Sequence, residues 1–132
     1  YFINKQHPDD YKPIQKPITE LIFHRMQNHN RLLLRICFKI RDNMFIPVTM
    51  ICDTGAPTHL YINDITRKII GSKIVFDELD NQLIQGDNYR LLVNKSPELY
   101  RNTNILGLMA LSKFEMAFKD GRFGFNNLPE YF

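Results

Sequence analysis

The segment VTMICDTGAPTHL places a carboxylate, a hydroxyl and a glycine directly after an apolar run, at Asp53, Thr54 and Gly55. A charge at the end of a core strand is costly to desolvate unless another group pairs with it or uses it. One carboxylate alone is a poor catalyst of peptide hydrolysis. Two carboxylates about 3 Å apart share one proton, so one can act as a base toward water while the other donates to the carbonyl. The chain contains one such motif, so a dyad would need two copies of the chain.

The elements that would position Asp53 are predicted from the alternation of apolar and polar residues. In RLLLRICFKI, apolar side chains recur at every second position, which indicates a strand with one well-buried face. We expect Arg31, Arg35 and Lys39 on the opposite face to lie in solvent. RDNM is typical of a turn, and FIPVTMIC is the returning strand. The sequence therefore predicts a hairpin from Arg31 to Cys52 that ends at Asp53.

The segments after this motif predict further short elements. Asn63 is a suitable N-cap for a helix of about two turns that ends at Gly71. KIVFDEL and YRLLVN are predicted strands, ILGLMALSKF is a strand that breaks at Gly107 into a short helix, and Asp120-Gly121 favours a hairpin turn. The face of the first helix that we expect to pack in the core carries Ile62, Ile65, Ile69 and Ile70. Many short strands, two short helices and no β-α-β alternation predict a mainly β fold.

Taken in order, these motifs resemble those of the retropepsin-like aspartic proteases, the family of retroviral and retroelement proteases and their cellular relatives. CDTGAPTHL is similar to the catalytic loop of that family, and NILGLMAL is similar to its second hallmark, two apolar residues and a glycine before a short helix. FEMAFKDGRFGF is similar to its terminal hairpin. The resemblance covers roughly Arg31 to Phe125. It implies a closed β-barrel with one or two short helices, working as a two-fold homodimer, and an aspartic endopeptidase with one Asp from each subunit.

The resemblance also implies a role for individual residues. Asp53 would be the catalytic carboxylate, and Thr54 would form hydrogen bonds across the dimer axis. Gly55 would lie beside the substrate backbone, and Ala56 would pack behind the loop. The residues that would support this loop from beneath are Ile105, Leu106 and Gly107.

Two positions depart from the family pattern. Pro57 stands where viral members often carry an acidic residue, which removes one expected contact with the substrate backbone. The flap of the family is usually a glycine-rich hairpin, whereas DELDNQLIQGDN contains a single glycine, Gly86. The sequence therefore predicts a short, stiff or absent flap.

Length and charge bound the domain organisation and the partners. The 132 residues fit one domain, in which we predict an N-terminal arm or leader over residues 1–26 and the protease domain over residues 27–132. A net charge of +3 is too small and too scattered to favour nucleic acid or an anionic membrane, and no apolar run reaches the length of a membrane span. The expected partners are a second copy of the chain and a peptide or protein substrate. Tyr1, Phe2 and the tail FGFNNLPEYF are candidates for the dimer sheet.

The cysteines and histidines predict neither a disulfide nor a metal site. Cys37 and Cys52 belong to no CxxC pair and are expected to be reduced, buried thiols. Few cysteines and no signal-peptide pattern favour an intracellular or virion-internal protein. His24 and His29, five residues apart, do not have a common metal-ligand spacing. We expect no metal and no other cofactor.

Two other functions are compatible with the motifs. A retropepsin-fold module could dimerise or bind a peptide without cleaving it, since a fold does not guarantee an activity; Pro57 and the altered flap favour this alternative. A phosphoryl-transfer enzyme could use Asp53 as its nucleophile. Such enzymes typically need a second acid or a lysine close after the nucleophile and an alternating α/β sheet, whereas Gly55 and Ala56 follow here in a strand-rich chain.

Overall fold

A computed structural model describes residues 7–25 and 30–132 of the chain. These residues form an eight-stranded sheet, a separate two-stranded hairpin and two short α-helices. The prediction of a mainly β fold is confirmed. In chain order the elements are β1 (Thr19–Arg25), β2 (Asn30–Arg41), β3 (Met44–Asp53), β4 (Leu60–Ile62), α1 (Asp64–Ile70), a 3₁₀ turn (Gly71–Lys73), β5 (Val75–Phe76), β6 (Gln82–Gln85), β7 (Arg90–Lys95), a second 3₁₀ turn (Glu98–Tyr100), β8 (Ile105–Gly107), α2 (Leu108–Lys113), β9 (Met116–Lys119) and β10 (Arg122–Phe125).

The large sheet is open, with strand order β1-β2-β3-β8-β4-β7-β6-β5. A barrel closes only when its first and last strands pair. Here β1 and β5 stand at opposite edges, and within the described residues each pairs with one neighbour only. The expected closed barrel is therefore wrong. The physical reason is that β5 is only two residues long, so it offers few backbone groups to a closing strand.

The predicted hairpin that leads to Asp53 is present. β2 and β3 pair antiparallel from Leu33 opposite Ile51 to Arg41 opposite Met44. Asn43 in the connecting turn has a φ of 61°, a left-handed conformation that Asn adopts at low cost. The turn and the alternation were both visible in the local sequence, which is why this element could be predicted.

Both faces of the middle of β2 are buried, so the prediction of a solvated face is wrong for Arg35. Arg35 is only 3% exposed, and Cys37 is fully buried. Arg35 Nε donates to Asp10 Oδ1 at 2.8 Å and its Nη1 donates to Glu20 Oε1 at 2.9 Å. Asp10 Oδ2 also accepts from the Thr49 amide at 2.9 Å. The N-terminal arm thus covers this face of β2. The pattern of residues within β2 does not show this, because the covering residues lie elsewhere in the chain.

The described part of the arm packs on the same sheet as the rest of the chain. The Tyr11 hydroxyl lies 2.8 Å from Thr66 Oγ1, and Ile14 forms a β-bridge with Phe45. β1 follows the arm in the chain, and all of β1 pairs with β2. Tyr1 and Phe2, the predicted contributors to a dimer sheet, lie outside the described residues.

α1 has the predicted N-cap, and Ile62, Ile69 and Ile70 of the predicted apolar stripe pack in or against the core. The Asn63 side chain accepts from the Thr66 amide at 2.8 Å, and the α-helix ends at Ile70 with Gly71 as its C-cap. Ile70 is buried, but Ile65 is 59% exposed, so its predicted place in the core is wrong. Thr66 is buried instead, because its hydroxyl meets the tyrosine of the arm. Among the described helices, none is long and apolar enough to cross a membrane.

The end of the tail packs against its own chain. The Phe132 amide donates to the Cys37 carbonyl at 2.8 Å, and the Lys39 amide donates to the Phe132 carbonyl at 2.7 Å. These bonds cover the edge of β2 beyond the end of β1. The fully buried Phe132 ring packs against Phe38 and Phe114, with centroids 5.6 and 5.7 Å away. Phe132 is therefore part of the core of one subunit.

Candidate functional site

Asp53 is the last residue of β3, at a point where three strands meet. β8 pairs in parallel with β3, with Gly107 opposite Asp53 and Leu106 opposite Cys52. Its other edge pairs antiparallel with β4, with Leu106 opposite Leu60. A strand from late in the chain thus lies between two strands that are consecutive in the chain. This topology brings the DTGA and ILG motifs side by side, although about fifty residues separate them in the sequence.

The loop after β3 orients the Asp53 carboxylate. The Gly55 amide donates to Asp53 Oδ1 at 2.8 Å, and the Ala56 amide donates to the Asp53 carbonyl at 3.2 Å. A Cβ on Gly55 would lie 3.1 Å from Asp53 Oδ1, so the absence of a side chain there allows this close turn. Asp53 and Ala56 are half-buried, whereas Thr54 and Gly55 are exposed. The carboxylate is held from one side and open on the other.

The residues predicted to support the loop do contact it. Three amides at the start of α2 donate to loop carbonyls: Gly107 to His59 at 2.8 Å, Leu108 to Ala56 at 2.7 Å and Met109 to Thr58 at 3.1 Å. The first amides of a helix lack partners within the helix, so the loop satisfies donors that would otherwise be unpaired. Ile105 and Leu106 are buried beside them and complete the support.

Gly107 is the tightest point of this arrangement. A Cβ at this position would lie 2.4 Å from the Thr58 carbonyl oxygen and 2.7 Å from the Ala56 carbonyl oxygen. Both neighbours are backbone atoms of the loop that follows Asp53, so they cannot rotate away. The glycine of the ILG motif is therefore required by the close approach of the loop.

An open cleft of about 480 Å³ lies beside Asp53. Its polar lining residues include Asp53, Thr54 and Arg31, and its apolar walls include Leu32, Ile105 and Phe118. Phe118 comes from β9 and is 65% exposed. Apolar walls with a few polar groups between them are typical of a ligand-binding site.

Two other titratable side chains near Asp53 in the chain, Cys52 and His59, are half-buried. Burial raises the pKa of the Cys52 thiol to about 12, so this thiol stays protonated and is a poor nucleophile. Burial, together with the nearby Lys113, lowers the pKa of His59, which stays neutral. His59 Nδ1 accepts from the Leu92 amide at 3.3 Å, which ties the loop to β7.

No metal centre is found in the part of the chain that the structure describes, because no three His, Cys, Asp or Glu side chains are grouped to hold an ion. His24 is exposed, and His29 lies outside the described residues. The cysteines Cys37 and Cys52 are both free.

Some residues at the site were not singled out from the sequence. Thr58 fixes the far end of the loop, since its amide donates to the Tyr61 hydroxyl at 3.1 Å and its hydroxyl donates to Asn94 Oδ1 at 2.7 Å. Tyr100, in the second 3₁₀ turn, lines the cleft. The contact between Thr58 and Asn94 joins residues 36 positions apart, so nothing in the local sequence marks it. Arg31 was expected to be a solvated charge, whereas it is half-buried and lines the cleft together with Asp53.

Comparison of the chain with protein-family models, with curated proteins and with solved structures finds no match. The family resemblance thus remains an expectation drawn from the motifs. The chemistry of the cleft and its loop is what a functional assignment has to use.

Proposed function

We propose that this protein is a retropepsin-like aspartic endopeptidase in which two copies of the chain each contribute Asp53 to one dyad. The observation that carries the proposal is the position of Asp53: the end of a buried strand, held by the Gly55 amide at 2.8 Å and open to a cleft with apolar walls. Asp53 is the single acidic residue among the described residues that line this cleft. A second carboxylate must therefore come from a second chain, which a two-fold dimer supplies.

The surface around the loop supports such a dimer. Thr54 is exposed, so its hydroxyl is free to reach the loop of a partner. Leu108 and Met109, whose amides bind the loop, have side chains that are 46% and 48% exposed. Adjacent exposed apolar side chains next to a functional loop are a common mark of an interface.

The chemistry of the dyad needs neither a metal nor a covalent intermediate. The ionised carboxylate takes a proton from a water molecule, whose oxygen attacks the carbonyl carbon of the scissile bond. The protonated carboxyl gives its proton to the carbonyl oxygen, which yields a tetrahedral diol. Collapse of the diol breaks the C–N bond, and a proton passes to the leaving nitrogen. Since one proton must stay between two like charges, activity should trace a bell with pH that peaks on the acidic side of neutrality.

The direct test compares cleavage of a peptide library by the wild type, by Asp53→Asn and by a matched control. Asp53→Asn keeps the size of the side chain but removes the acid–base group. We therefore expect kcat/KM to fall by about 10²-fold to 10⁴-fold. Asp120→Asn is the control, because Asp120 is exposed in a turn at φ 54°, which Asn tolerates equally. Undiminished cleavage by Asp53→Asn, or full activity from a strict monomer in sedimentation, would refute the proposal.

A second candidate is a retropepsin-fold module that dimerises or binds peptides without cleaving them. One observation favours it: among the described residues, neither the turn at 77–81 nor the turn at 86–89 contributes to the lining of the cleft. A cleft without a covering hairpin excludes water less well from the reacting groups. Peptide binding by the wild type with no turnover at any pH between about 4 and 7 would favour this module over the protease.

A further inference from the structure

We infer that Arg31 gives this site a preference for peptides that carry an acidic side chain next to the large apolar residues of the scissile region. The inference rests on the proposed function and names a substrate class for the same cleft. It starts from the pairing of β2 and β3, which ends with Leu33 opposite Ile51. Two residues further along each strand lie Arg31 and Asp53. Residues two apart on a strand have side chains on the same face, so Arg31 shares the face of Leu33 and Asp53 shares the face of Ile51.

The cleft agrees with this register, because Arg31 and Asp53 both line it. Arg31 is half-buried, and its Nη1 donates to the Asn30 carbonyl at 3.2 Å. Within the described residues it forms no ion pair, unlike Arg35, which is satisfied by Asp10 and Glu20. The two arginines lie four residues apart on one strand, and in the described ranges 7–25 and 30–132 only Arg35 has carboxylate partners.

The unpaired guanidinium has the chemistry to bind a carboxylate. Arginine presents several N–H donors in a planar fork that matches the two oxygens of a carboxylate. The residue opposite Arg31 on β1 is His24, which adds no negative charge. Among the described residues that line the cleft, Asp53 is the one carboxylate, and in the dyad it shares a proton with its twin. The local field therefore favours an incoming acidic side chain.

The walls of the cleft decide what stands beside this acidic side chain. Leu32, Ile105 and Phe118 offer apolar surface close to Arg31. Large apolar side chains of a substrate would pack on this surface while a neighbouring glutamate reaches the guanidinium. The resulting substrate is an extended peptide with alternating apolar and acidic character.

The experiment uses peptides acetylated at the N-terminus and amidated at the C-terminus, so the only carboxylate is the side chain under test. Pairs that differ by Glu or Gln at one position are compared, and this position is moved along the peptide. We expect kcat/KM of the wild type to be about fivefold to tenfold higher for Glu at the best position, as an exposed ion pair with a good fork geometry allows. The preference should shrink in about 1 M salt, where the Debye length is about 3 Å.

Variants locate the effect. Arg31→Gln should bring the Glu/Gln ratio to about one, and Arg31→Lys should leave an intermediate ratio, because the charge stays but the fork is lost. Arg41→Gln, an exposed arginine at the far end of the same strand, should keep the wild-type ratio. If the wild type cleaves with no preference, or if Arg31→Gln retains it, the inference alone is overturned. If the wild type cleaves no peptide, the proposed function fails and the inference fails with it.

Discussion

Substitution of Gly107 by alanine is the sharpest test of how the loop after Asp53 is held. The added Cβ would lie 2.4 Å from the Thr58 carbonyl oxygen, whereas ordinary contact begins at 3.4 Å. The loop therefore has to move about 1 Å away from residue 107. α2 cannot move with the loop, because α2 would then lose its own packing. Overpacking of this kind costs about 1–3 kcal/mol. The retreat also weakens the bonds from Leu108 to Ala56 and from Met109 to Thr58, each worth about 1 kcal/mol.

Together these effects predict that Gly107→Ala lowers the free energy of unfolding by about 2–4 kcal/mol. In urea, with a slope of about 2 kcal/mol per molar, the midpoint should fall by about 1–2 M. The matched control is Gly124→Ala in β10, where a Cβ would meet nothing within 4 Å. Equal midpoints for the two variants would show that the loop does not lie against Gly107, and the account of the site would be wrong. If the proposed function holds, Gly107→Ala should also lower kcat/KM for peptide cleavage, and by more than the loss of folded protein accounts for.

Three further changes test other parts of the molecule. Thr54→Ala should raise the dimer Kd by roughly tenfold or more in sedimentation and lower cleavage with it, while Thr54→Ser stays mild because the hydroxyl is kept; unchanged dimerisation in Thr54→Ala would rule out a role for the hydroxyl. Asp10→Asn should destabilise the fold by about 1–3 kcal/mol in urea, since it removes the buried carboxylate beside Arg35 and leaves the partly exposed Glu20 as its charge partner; the exposed Asp9→Asn should change less than about 0.5 kcal/mol. Burial lowers the pKa of His59 from 6.5, so the unfolded chain binds more protons and stability should fall as the pH drops from 6.5 through the lower folded-state pKa. His59→Asn should flatten this slope, and an unchanged slope would assign it to other groups.

The local parts of the site were predictable from the sequence because their causes are local. The alternation in RLLLRICFKI, the Asp42-Asn43 turn and the returning strand together predicted that Asp53 ends a buried strand. The Asn63 cap and the Asp120-Gly121 turn were likewise predictable from neighbouring residues, and both are present. Asn63 caps α1, and Asp120 and Gly121 in the turn have φ values of 54° and 75°. In each case the free energy that selects the conformation comes from residues within a few positions of one another.

The tertiary structure alone decided which distant segments meet. The burial of Arg35 depends on Asp10, 25 residues earlier, and the fixed loop depends on the insertion of β8 between β3 and β4. The sheet stays open because of the strand order and the shortness of β5, neither of which follows from a hydrophobic pattern. Periodicity within a strand reports which face is apolar, but not which segment covers it. The sequence by itself determined the carboxylate and the strand that ends in it. Long-range pairing determined how the loop is held and which residues, the Arg31 guanidinium among them, line the cleft beside the carboxylate.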